Sequence, residues 1–275
     1  MPRVLSELVA GAVADASERR AIRPLPQVEA EALARPAALD VMAALAPAER
    51  VKIIAEVKRA SPSRGPLAEI ADPASLAVSY QTGGASAISV LTEGRRFLGS
   101  LADLEAVRAA VDIPVLRKDF IAEPYQVFEA RAAGADLVLL IVAALEQPVL
   151  AELHALISQL GMTALVETHS ADEVERALDV GASVVGVNAR DLSTFELDRE
   201  LFGSLADRIP SGVIRIAESA VTEPADVARY RAAGADVVLV GEALVTGGDP
   251  VATLESFLAA GPFRPAESRA GAVSA

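Results

Sequence analysis

The residues in this chain best suited to acid–base chemistry lie where an apolar segment meets a cluster of charge, at residues 51–58. Residues 51–57 are rich in β-branched side chains, which predicts a strand buried on both faces, yet Glu56 and Lys58 place a carboxylate and an ammonium group at its end. Side chains alternate along a strand, so these two groups project on the same side of the sheet. They could form an ion pair that closes the strand, or a site for proton transfer.

The distribution of lysine favours the second interpretation. Only three of the 25 basic residues are lysines, namely Lys52, Lys58 and Lys118, and every other one is an arginine. Two of these lysines fall at the ends of predicted strands. Lysine differs from arginine because its pKa shifts readily into the range where it exchanges protons near neutral pH. We therefore expect Lys58 and Lys118 to take part in chemistry.

Polar residues also end four further apolar runs, where a purely structural strand would stay apolar. They are Lys118 and Asp119, Glu167, Asn188 and Arg190, and Glu218 and Ser219. A concentration of such side chains at one end of several strands is difficult to explain by stability alone. The sequence therefore predicts an active site formed by these strand ends together with Glu56 and Lys58.

An internal repeat indicates which elements carry these residues. The segment RAAGADLVLL at 131–140 recurs almost unchanged as RAAGADVVLV at 231–240. In each copy a helical pattern ends at a glycine and a buried strand follows, so the repeating unit is helix, tight turn, strand. Eight strands are predicted, at 52–57, 87–91, 114–117, 137–141, 163–166, 184–187, 213–217 and 237–240.

Eight strands that alternate with helices predict an α/β fold with a parallel sheet and crossover helices. A closed (β/α)8 barrel, or TIM barrel, fits one domain in a chain of 275 residues and would place the active site at the C-terminal ends of the strands. The alternative is a doubly wound open sheet, but no Gly-x-Gly-x-x-Gly follows the first strand. We therefore predict the closed barrel.

The segments on either side of the predicted barrel, which spans residues 51–261, have a different character. Residues 1–50 are expected to form an N-terminal helical extension packed on the barrel, with an amphipathic helix at 3–19 and, within a Pro- and Ala-rich loop, one further helix near 37–45. Residues 262–275 are rich in Pro, Ala, Gly and Ser, so we expect them to form a disordered tail.

Composition excludes several classes of function. A formal net charge of -13 argues against nucleic acid or an anionic membrane as a partner, because both would be repelled. The absence of cysteine excludes disulfides, thiol nucleophiles and Cys-ligated metals, and the two histidines lack the further ligands that would favour a zinc site. No continuous apolar segment begins the chain, so we expect a soluble protein of the cytoplasm.

A phosphate site is expected in the loops that follow strands seven and eight, because TIM barrels commonly bind phosphate there. Ser219, Ala220 and Gly241 occupy these loops, and Gly241 would let backbone N–H groups approach an anion. Glu242 adds a negative charge that the phosphate would have to avoid.

Taken together, these residues resemble the indole-3-glycerol-phosphate synthase family. The resemblance covers residues 3–260 and rests on IAEVKRASPS at 54–63, SVLTE at 89–93, LRKDF at 116–120, LVE at 165–167, VNARDL at 187–192 and IAES at 216–219. It implies a TIM barrel with an N-terminal helical extension that uses no metal and no cofactor. The implied activity is a carbon–carbon (carboxy-) lyase reaction of tryptophan biosynthesis, which converts 1-(2-carboxyphenylamino)-1-deoxyribulose 5-phosphate to indole-3-glycerol phosphate, carbon dioxide and water.

The resemblance also implies roles for individual residues. Lys118 resembles the general acid that protonates the carbonyl under attack, and Glu167 resembles the group that assists later proton removal. Lys58 would bind the substrate carboxylate or share the acid role, with Glu56 holding it in place. Which lysine donates at each step stays open at this point.

The other residues implied by the resemblance orient or bind the phosphorylated substrate. Those that orient the sugar hydroxyls and the reacting atoms are Asn188, Arg190, Glu218 and Ser219. Those at the phosphate are Ser61 and the backbone near Ala220 and Gly241, with Glu242 beside them. Those that line the anthranilate pocket are Leu91, Phe97, Phe120 and Leu192.

Two alternatives are less well supported. Phosphoribosylanthranilate isomerase and the tryptophan synthase α subunit are also phosphate-binding barrels of this pathway. The family pattern of the first includes a Cys/Asp acid–base pair, and this chain has no cysteine. The second lacks the two strand-end lysines that this chain has. A decayed, non-catalytic barrel would have lost ionisable strand-end residues, and the one hint of decay is Ala220, where the family usually has glycine. A monomer, with or without association with other tryptophan-pathway enzymes, is compatible with the sequence.

Overall fold

A computed structural model describes residues 3–191 and 194–260 and shows a closed barrel of eight parallel strands. In chain order the strands are β1 Lys52–Val57, β2 Ala87–Leu91, β3 Val115–Lys118, β4 Leu137–Ile141, β5 Thr163–Thr168, β6 Val184–Asn188, β7 Ile214–Glu218 and β8 Val237–Val240. Each strand pairs with its neighbours in sequence, and β8 closes the barrel against β1, with Lys52 opposite Val237. The predicted (β/α)8 barrel is confirmed.

Helices cover the outside of the barrel and extend before and after it. They are α1 Arg3–Ile22, α2 Leu25–Leu33, α3 Val41–Ala44, α4 Pro73–Thr82, α5 Leu101–Ala110, α6 Pro124–Ala133, α7 Gln147–Gln159, α8 Ala171–Asp179, α9 Leu201–Leu205, α10 Pro224–Ala232, α11 Glu242–Thr246 and α12 Pro250–Ala260. Short 3-10 turns occur at Val142–Ala144 and Ala206–Arg208, and a small two-stranded ribbon joins Ala60–Ser61 to Gly65–Pro66. None of the helices described has the length and apolar character needed to cross a membrane.

The predicted strands differ from the observed ones mainly at their C-terminal ends. Strand β3 includes Lys118, β5 continues to Thr168, β6 to Asn188 and β7 to Glu218, each one or two residues beyond the predicted end. The apolar pattern stops where side chains become polar, but the backbone ladder does not depend on side-chain type and continues, as the pairing of Asn188 with Glu218 shows. The polar residues are therefore fixed by sheet hydrogen bonds instead of being carried on loops.

The N-terminal extension contains one more helix than predicted. Helix α1 continues to Ile22, and α2 occupies a segment that was expected to be loop. The prolines that indicated a loop are compatible with a helix start, because Pro24 is the N-cap residue and Pro26 lies in the first turn, where no intrahelical N–H bond is lost. Val28 and Ala32 stabilise α2 by burying their side chains in a cluster shared with α6.

The helix predicted near 37–45 is present as the single turn α3. Asp40 caps it by accepting a hydrogen bond from the backbone N–H of Ala43 (2.9 Å). Leu8 of α1 joins the apolar cluster inside the barrel, so the extension contacts the barrel interior. The boundary between extension and barrel stays a prediction, and the tail predicted at 262–275 lies outside the described residues.

The aspartates of the repeated RAAGAD segments lie at the N-terminal end of the barrel strands. Asp136 is 3% exposed, and its carboxylate accepts hydrogen bonds from the backbone N–H groups of Leu39 (2.8 Å) and Val115 (2.9 Å) and from Arg108 Nη1 (2.7 Å). Asp236 occupies the equivalent position before β8 and accepts a hydrogen bond from a backbone N–H of β7 (3.1 Å). The repeat therefore has a structural role, because it ties neighbouring strands and the extension together.

Candidate active site

A cavity of about 660 Å³ opens at the C-terminal ends of the barrel strands. Leu192 lies outside the described residues, and every other residue predicted for the site lines this cavity. These residues are Glu56, Lys58, Ser61, Leu91, Phe97, Lys118, Asp119, Phe120, Glu167, Asn188, Arg190, Glu218, Ser219, Ala220, Gly241 and Glu242. The volume lies within the range of pockets that enclose small organic ligands.

Lys118 contacts two buried carboxylates in the cavity. Its Nζ lies 3.3 Å from Glu218 Oε2 and 3.4 Å from Glu167 Oε2. Burial opposes the positive charge of Lys118, but Glu218, Glu167 and Glu56 together outweigh that effect and raise the pKa of the ammonium group. Lys118 is therefore held in its protonated form, whereas the sequence led us to expect a pKa shifted toward neutral pH; the difference arises because three carboxylates surround its ammonium group.

Glu167 and Glu218 are both almost fully buried, and their pKa values move in opposite directions. Burial, reinforced by the negative charge of Glu167, raises the pKa of Glu218 to about 8 against the opposing effect of Lys118. Burial also disfavours the charge of Glu167, but Lys118 and His169 outweigh it and hold the pKa of Glu167 below its ordinary value. A proton shared between the two carboxylates therefore resides mainly on Glu218.

The position of Glu218 depends on a glycine in the neighbouring strand. A Cβ atom on Gly186 of β6 would lie 2.1 Å from Glu218 Oε1, well inside contact distance. Neither carboxylate oxygen of Glu218 accepts a hydrogen bond of good geometry within residues 3–191 and 194–260, and its charged partner is Lys118, whose Nζ lies 3.3 Å from Oε2. A buried acid with few donors is destabilised when ionised, which agrees with its raised pKa.

The predicted pair at the end of β1 is formed. Lys58 Nζ lies 2.9 Å from Glu56 Oε1, and Ser89 Oγ donates a hydrogen bond to Glu56 Oε2 (3.2 Å). Burial disfavours the charge of Glu56, but Lys58 and then Lys118 outweigh it and lower the pKa of this carboxyl. A Cβ atom at Gly241 would lie 2.5 Å from Glu56 Oε1 and 2.9 Å from Lys58 Nζ. Close approach of the ion pair is therefore a reason for glycine at this position.

Asn188 and Ser219 join the ends of β6 and β7. Ser219 Oγ donates a hydrogen bond to Asn188 Oδ1 (2.7 Å), which also accepts one from the backbone N–H of Arg190 (3.0 Å). Ser219 and Ala220 both have left-handed backbone conformations, with φ values of 68° and 58°. Such a conformation costs an L-residue about 1 kcal/mol and costs glycine little, so the fold gives a physical reason for glycine at position 220.

Apolar side chains form one wall of the cavity. The rings of Phe97 and Phe120 have centroids 6.2 Å apart and are tilted by 44°. Leu91 lines the same cavity, and so does Leu8 of α1, which was not among the predicted residues. The N-terminal extension therefore contributes a side chain to the site.

Alternation along β3 separates a structural pair from the catalytic candidate. Asp119 accepts hydrogen bonds from Thr92 Oγ1 (2.6 Å) and from the buried Arg117 Nη2 (2.9 Å). Lys118, between them in sequence, projects to the other side and meets Glu167 and Glu218. The charge of Asp119 is therefore committed to a structural contact.

Two arginines near the cavity were not predicted. Arg64 forms an ion pair with Glu242 (2.8 Å), which offsets the charge expected to repel a phosphate. Arg199 Nη1 donates a hydrogen bond to the backbone carbonyl of Ala220 (3.2 Å). Neither arginine ends an apolar run, so nothing in the sequence distinguishes them from the other arginines of this chain.

His169 was also not predicted for this site. Its Nε2 lies 3.5 Å from Glu167 Oε1 and its Nδ1 lies 3.3 Å from Glu173 Oε2. Burial disfavours the charged imidazole, but Glu173 and Glu167 outweigh it and raise the pKa of His169. The sequence could have indicated His169, because it follows Glu167 by two residues at a strand end, as Lys58 follows Glu56.

Comparison with known proteins connects the chain to one family. The family model described as indole-3-glycerol phosphate synthase matches residues 5–257. The indole-3-glycerol phosphate synthase of Leifsonia xyli subsp. xyli is 74% identical over 254 residues, which cover 92% of this chain and 97% of the relative. The protein of the same name from Mycolicibacterium vanbaalenii is 60% identical over 258 residues, which cover 94% of each chain.

Solved structures share the fold at low sequence identity. A 3-hexulose-6-phosphate synthase superimposes with a TM-score of 0.62 at 20% identity, covering 77% of this chain and 100% of the other. The N-acetylmannosamine-6-phosphate 2-epimerase from Clostridium perfringens gives a TM-score of 0.57 at 16% identity, covering 72% of this chain and 90% of the other. At these identities the likeness supports the barrel architecture alone.

Proposed function

The chain belongs to the indole-3-glycerol phosphate synthase family, and we propose that Lys118, Glu167 and Glu218 carry the acid–base chemistry of that activity. The activity is a carboxy-lyase reaction of tryptophan biosynthesis, in which 1-(2-carboxyphenylamino)-1-deoxyribulose 5-phosphate closes its pyrrole ring and loses carbon dioxide and water. The observation that carries the proposal is the position of Lys118 Nζ, 3.3 Å from Glu218 and 3.4 Å from Glu167.

Ring closure requires a ketone carbon that has been made more electrophilic. Lys118 is held protonated by the surrounding carboxylates, so it can donate to the ketone oxygen while the aromatic carbon that bears the carboxylate attacks. Loss of the carboxylate as carbon dioxide then restores the aromatic ring. Lys118 is therefore the proposed general acid.

Loss of water requires a proton for the departing hydroxyl group and a base for a carbon-bound proton. Glu167 is the proposed base, because its low pKa keeps it ionised. Glu218, with a pKa of about 8, can hold or release a proton near neutral pH. The pKa values of these two carboxyls are shifted in opposite directions, so Glu167 can act as the base while Glu218 stores the proton.

Lys58 is proposed to bind the substrate carboxylate until it leaves as carbon dioxide. Its ammonium group lines the cavity and is oriented by the contact with Glu56 (2.9 Å). We assign the acid role to Lys118 and the binding role to Lys58, because Lys118 is the lysine in contact with Glu167 and Glu218.

The polar rim of the cavity is proposed to bind the sugar and its phosphate. The residues proposed to orient the sugar hydroxyls are Asn188, Arg190 and Ser219. The phosphate is proposed to lie between Ser61 and the loops after β7 and β8, near the backbone of Ala220 and Gly241. The ion pair of Arg64 with Glu242 supports this location, because it offsets a negative charge there.

The apolar wall is proposed to hold the aromatic ring of the substrate. Phe97, Phe120, Leu91 and Leu8 present the apolar surface that a planar ring requires. A cytoplasmic location, which a biosynthetic activity supports, is part of the proposal, as are a monomeric state and association with other enzymes of the pathway.

Substitution of Glu167 by glutamine tests the proposed base. We expect Glu167→Gln to lower kcat by about a hundredfold or more with the fold intact, because general acid–base groups typically contribute that much. Indole fluorescence after addition of the carboxyphenylamino-deoxyribulose phosphate measures turnover, and circular dichroism reports folding. Glu175→Gln on α8 is a matched control, since the Glu175 side chain is 67% exposed. A folded Glu167→Gln enzyme with kcat within a few-fold of the parent would remove Glu167 from the mechanism.

A further inference from the structure

His169 extends the buried charge cluster toward the protein surface. Its Nε2 lies 3.5 Å from Glu167 Oε1 and its Nδ1 lies 3.3 Å from Glu173 Oε2. Side-chain exposure rises along this line, from 2% for Glu167 to 14% for His169 and 18% for Glu173. Neither His169 nor Glu173 is among the residues that line the cavity of the candidate active site. The line of three residues therefore reaches solvent by a route outside that cavity.

The start of α8 fixes Glu173 in this arrangement. The backbone N–H of His169 donates a hydrogen bond to Glu173 Oε2 (2.7 Å), and the hydroxyl of the N-cap residue Ser170 accepts one from the backbone N–H of Glu173 (3.3 Å). A carboxylate in the first turn of a helix is also favoured by the helix dipole. These contacts hold Glu173 where it can orient the imidazole ring.

The groups that face His169 are all acidic. They are Glu167 from β5, Glu173 from α8 and, through a longer-range charge interaction, Glu218 from β7. Nε2 of His169 has no hydrogen-bond partner among residues 3–191 and 194–260, so this atom is buried beside Glu167 without a competing contact. The raised pKa of His169 follows from these carboxylates, which outweigh burial, and it keeps a proton on the ring at higher pH than usual.

The reaction itself consumes a proton from outside the substrate. The ketone oxygen leaves as water and so gains two protons during ring closure and dehydration. Removal of the carbon-bound proton supplies one of them, whereas the ionised carboxylate leaves as carbon dioxide and supplies none. Each turnover therefore takes up one proton from solvent, and that proton has to reach Lys118, Glu167 or Glu218.

We propose that His169 relays this proton from solvent to Glu167, with Glu173 holding the imidazole in position. A proton enters the ring at Nδ1, on the side of Glu173, and a proton leaves from Nε2 to Glu167 Oε1. Exchange of the ring with water then restores the starting tautomer, so one proton enters and one is delivered, with only N–H and O–H bonds changed. This inference rests on the proposed roles of Glu167 and Lys118.

The relay explains how protons arrive while substrate is bound. A substrate that carries an aromatic ring and a phosphate covers the buried cluster from the mouth of the cavity, whereas His169 and Glu173 lie outside the cavity lining. The separation of 3.5 Å between Nε2 and Glu167 Oε1 is longer than a strong hydrogen bond. It has to shorten by about 0.5 Å during transfer, as catalytic contacts commonly do when substrate binds.

Substitution of His169 by glutamine tests the relay, because glutamine keeps a polar side chain but carries no titratable proton. We expect His169→Gln to lower kcat by about tenfold at neutral pH with little change in KM, and we expect added imidazole to restore most of the loss in His169→Ala, which leaves space for the ring. In the parent, kcat should decline as pH rises through the raised pKa of His169, and this decline should be absent from the variant. His154→Gln on α7 is the matched control and should behave as the parent does in both respects.

Two outcomes would overturn the relay: an unchanged kcat in His169→Gln, or a loss that is equal at every pH and, in His169→Ala, is not restored by imidazole. If His169→Gln fails to fold, Glu173→Gln takes its place, and it should lower kcat less and move the decline of kcat to lower pH, because Glu173 helps to raise the pKa of His169. An inactive Glu167→Gln beside a fully active His169→Gln would refute the relay alone. An active Glu167→Gln would instead refute the proposed function of Glu167.

Discussion

Asp136 and Glu218 are both buried carboxylates at the ends of barrel strands, but they lie at opposite ends and differ in their partners. Asp136 accepts hydrogen bonds from two backbone N–H groups and from Arg108, whereas the oxygens of Glu218 accept no hydrogen bond of good geometry in the described part of the chain and contact the ammonium group of Lys118 (3.3 Å). Burial is nearly the same, at 3% and 1% exposure. A buried acid therefore supports the fold when backbone N–H groups and an arginine donate to its oxygens, and we expect it to be available for proton transfer when its partner is a lysine that can itself exchange protons.

Lys118→Arg is expected to show the largest effect at the C-terminal end of the barrel. The variant should fold normally but lose at least about a hundredfold in kcat, because a planar guanidinium cannot take the position of Nζ, which lies 3.4 Å from Glu167 and 3.3 Å from Glu218. Because the positive charge is retained, KM should change much less than kcat does. Steady-state kinetics beside circular dichroism measure both effects.

Lys58→Arg is the matched comparison for Lys118→Arg. It keeps the charge that we propose to bind the substrate carboxylate, so it should lose less kcat than Lys118→Arg does. If Lys118→Arg turned over within about tenfold of the parent while Lys58→Arg was inactive, the acid role would belong to Lys58.

Asp136→Asn is the corresponding change at the N-terminal end. It removes the charge that accepts hydrogen bonds from Arg108 and from the backbone N–H groups of Leu39 in the extension and Val115 in β3, so we expect the free energy of unfolding to fall by about 2 kcal/mol. Because Asp136 does not line the cavity, kcat of the folded enzyme should stay close to that of the parent. Urea denaturation and kinetics together check this; a large loss of kcat without a loss of stability would contradict the contrast between the two ends.

Glu218→Gln should change how stability depends on pH. The pKa of Glu218 is raised to about 8 in the folded protein, so its contribution to stability is complete below the unfolded pKa and is lost as pH rises through about 8. Glutamine does not ionise, so the Tm of Glu218→Gln relative to the parent should increase between about pH 5 and about pH 8 while kcat falls.

Glu167→Gln provides the opposite case for the same thermal measurement. The pKa of Glu167 is lowered, so its contribution is present above the unfolded pKa and is lost as pH falls. The Tm of Glu167→Gln relative to the parent should therefore stay level between about pH 5 and about pH 8, where that of Glu218→Gln increases, and should rise only as pH falls below the ordinary carboxyl pKa of 4.5. Parallel Tm curves for the two variants would show that the pKa values of Glu167 and Glu218 are not shifted in opposite directions.

Ala220→Gly is expected to have the smallest effect. Glycine relieves the left-handed backbone at φ 58° and adjusts the loop that we propose to bind phosphate, so KM should change more than kcat, by a few-fold. Titration with inorganic phosphate measures the binding change directly. An altered kcat with unchanged phosphate affinity would place Ala220 in the chemistry instead.

The barrel could be predicted from the sequence because its strands are buried on both faces and read as continuous β-branched runs, as at Leu137–Ile141. Helix α2 could not, because it is nine residues long, begins among prolines and depends on packing against α6. Its stability comes from tertiary contacts that no local pattern records.

The site could be predicted as a set of residue types, because ionisable side chains interrupt apolar runs. The opposite pKa shifts of two of these residues could not be predicted. Glu167 and Glu218 come from β5 and β7 and lie close together across β6, where Gly186 leaves space, so their opposed pKa values depend on distances that the sequence does not contain. Leu8 was missed for a similar reason, since only the packing of α1 brings it to the cavity.

The closure of the barrel by β1 and β8 has a consequence for biosynthesis of the protein itself. Glu56 and Lys58 are synthesised early, but the pair lies against Gly241, which directly follows β8 near the end of the described chain. A nascent chain that has emerged only as far as β7 already carries Lys118, Glu167 and Glu218, yet it lacks the strand that completes the wall around them. The barrel needs β8 to close, so a prematurely terminated chain that lacks this strand would keep its acid–base residues without an enclosed site in which to use them.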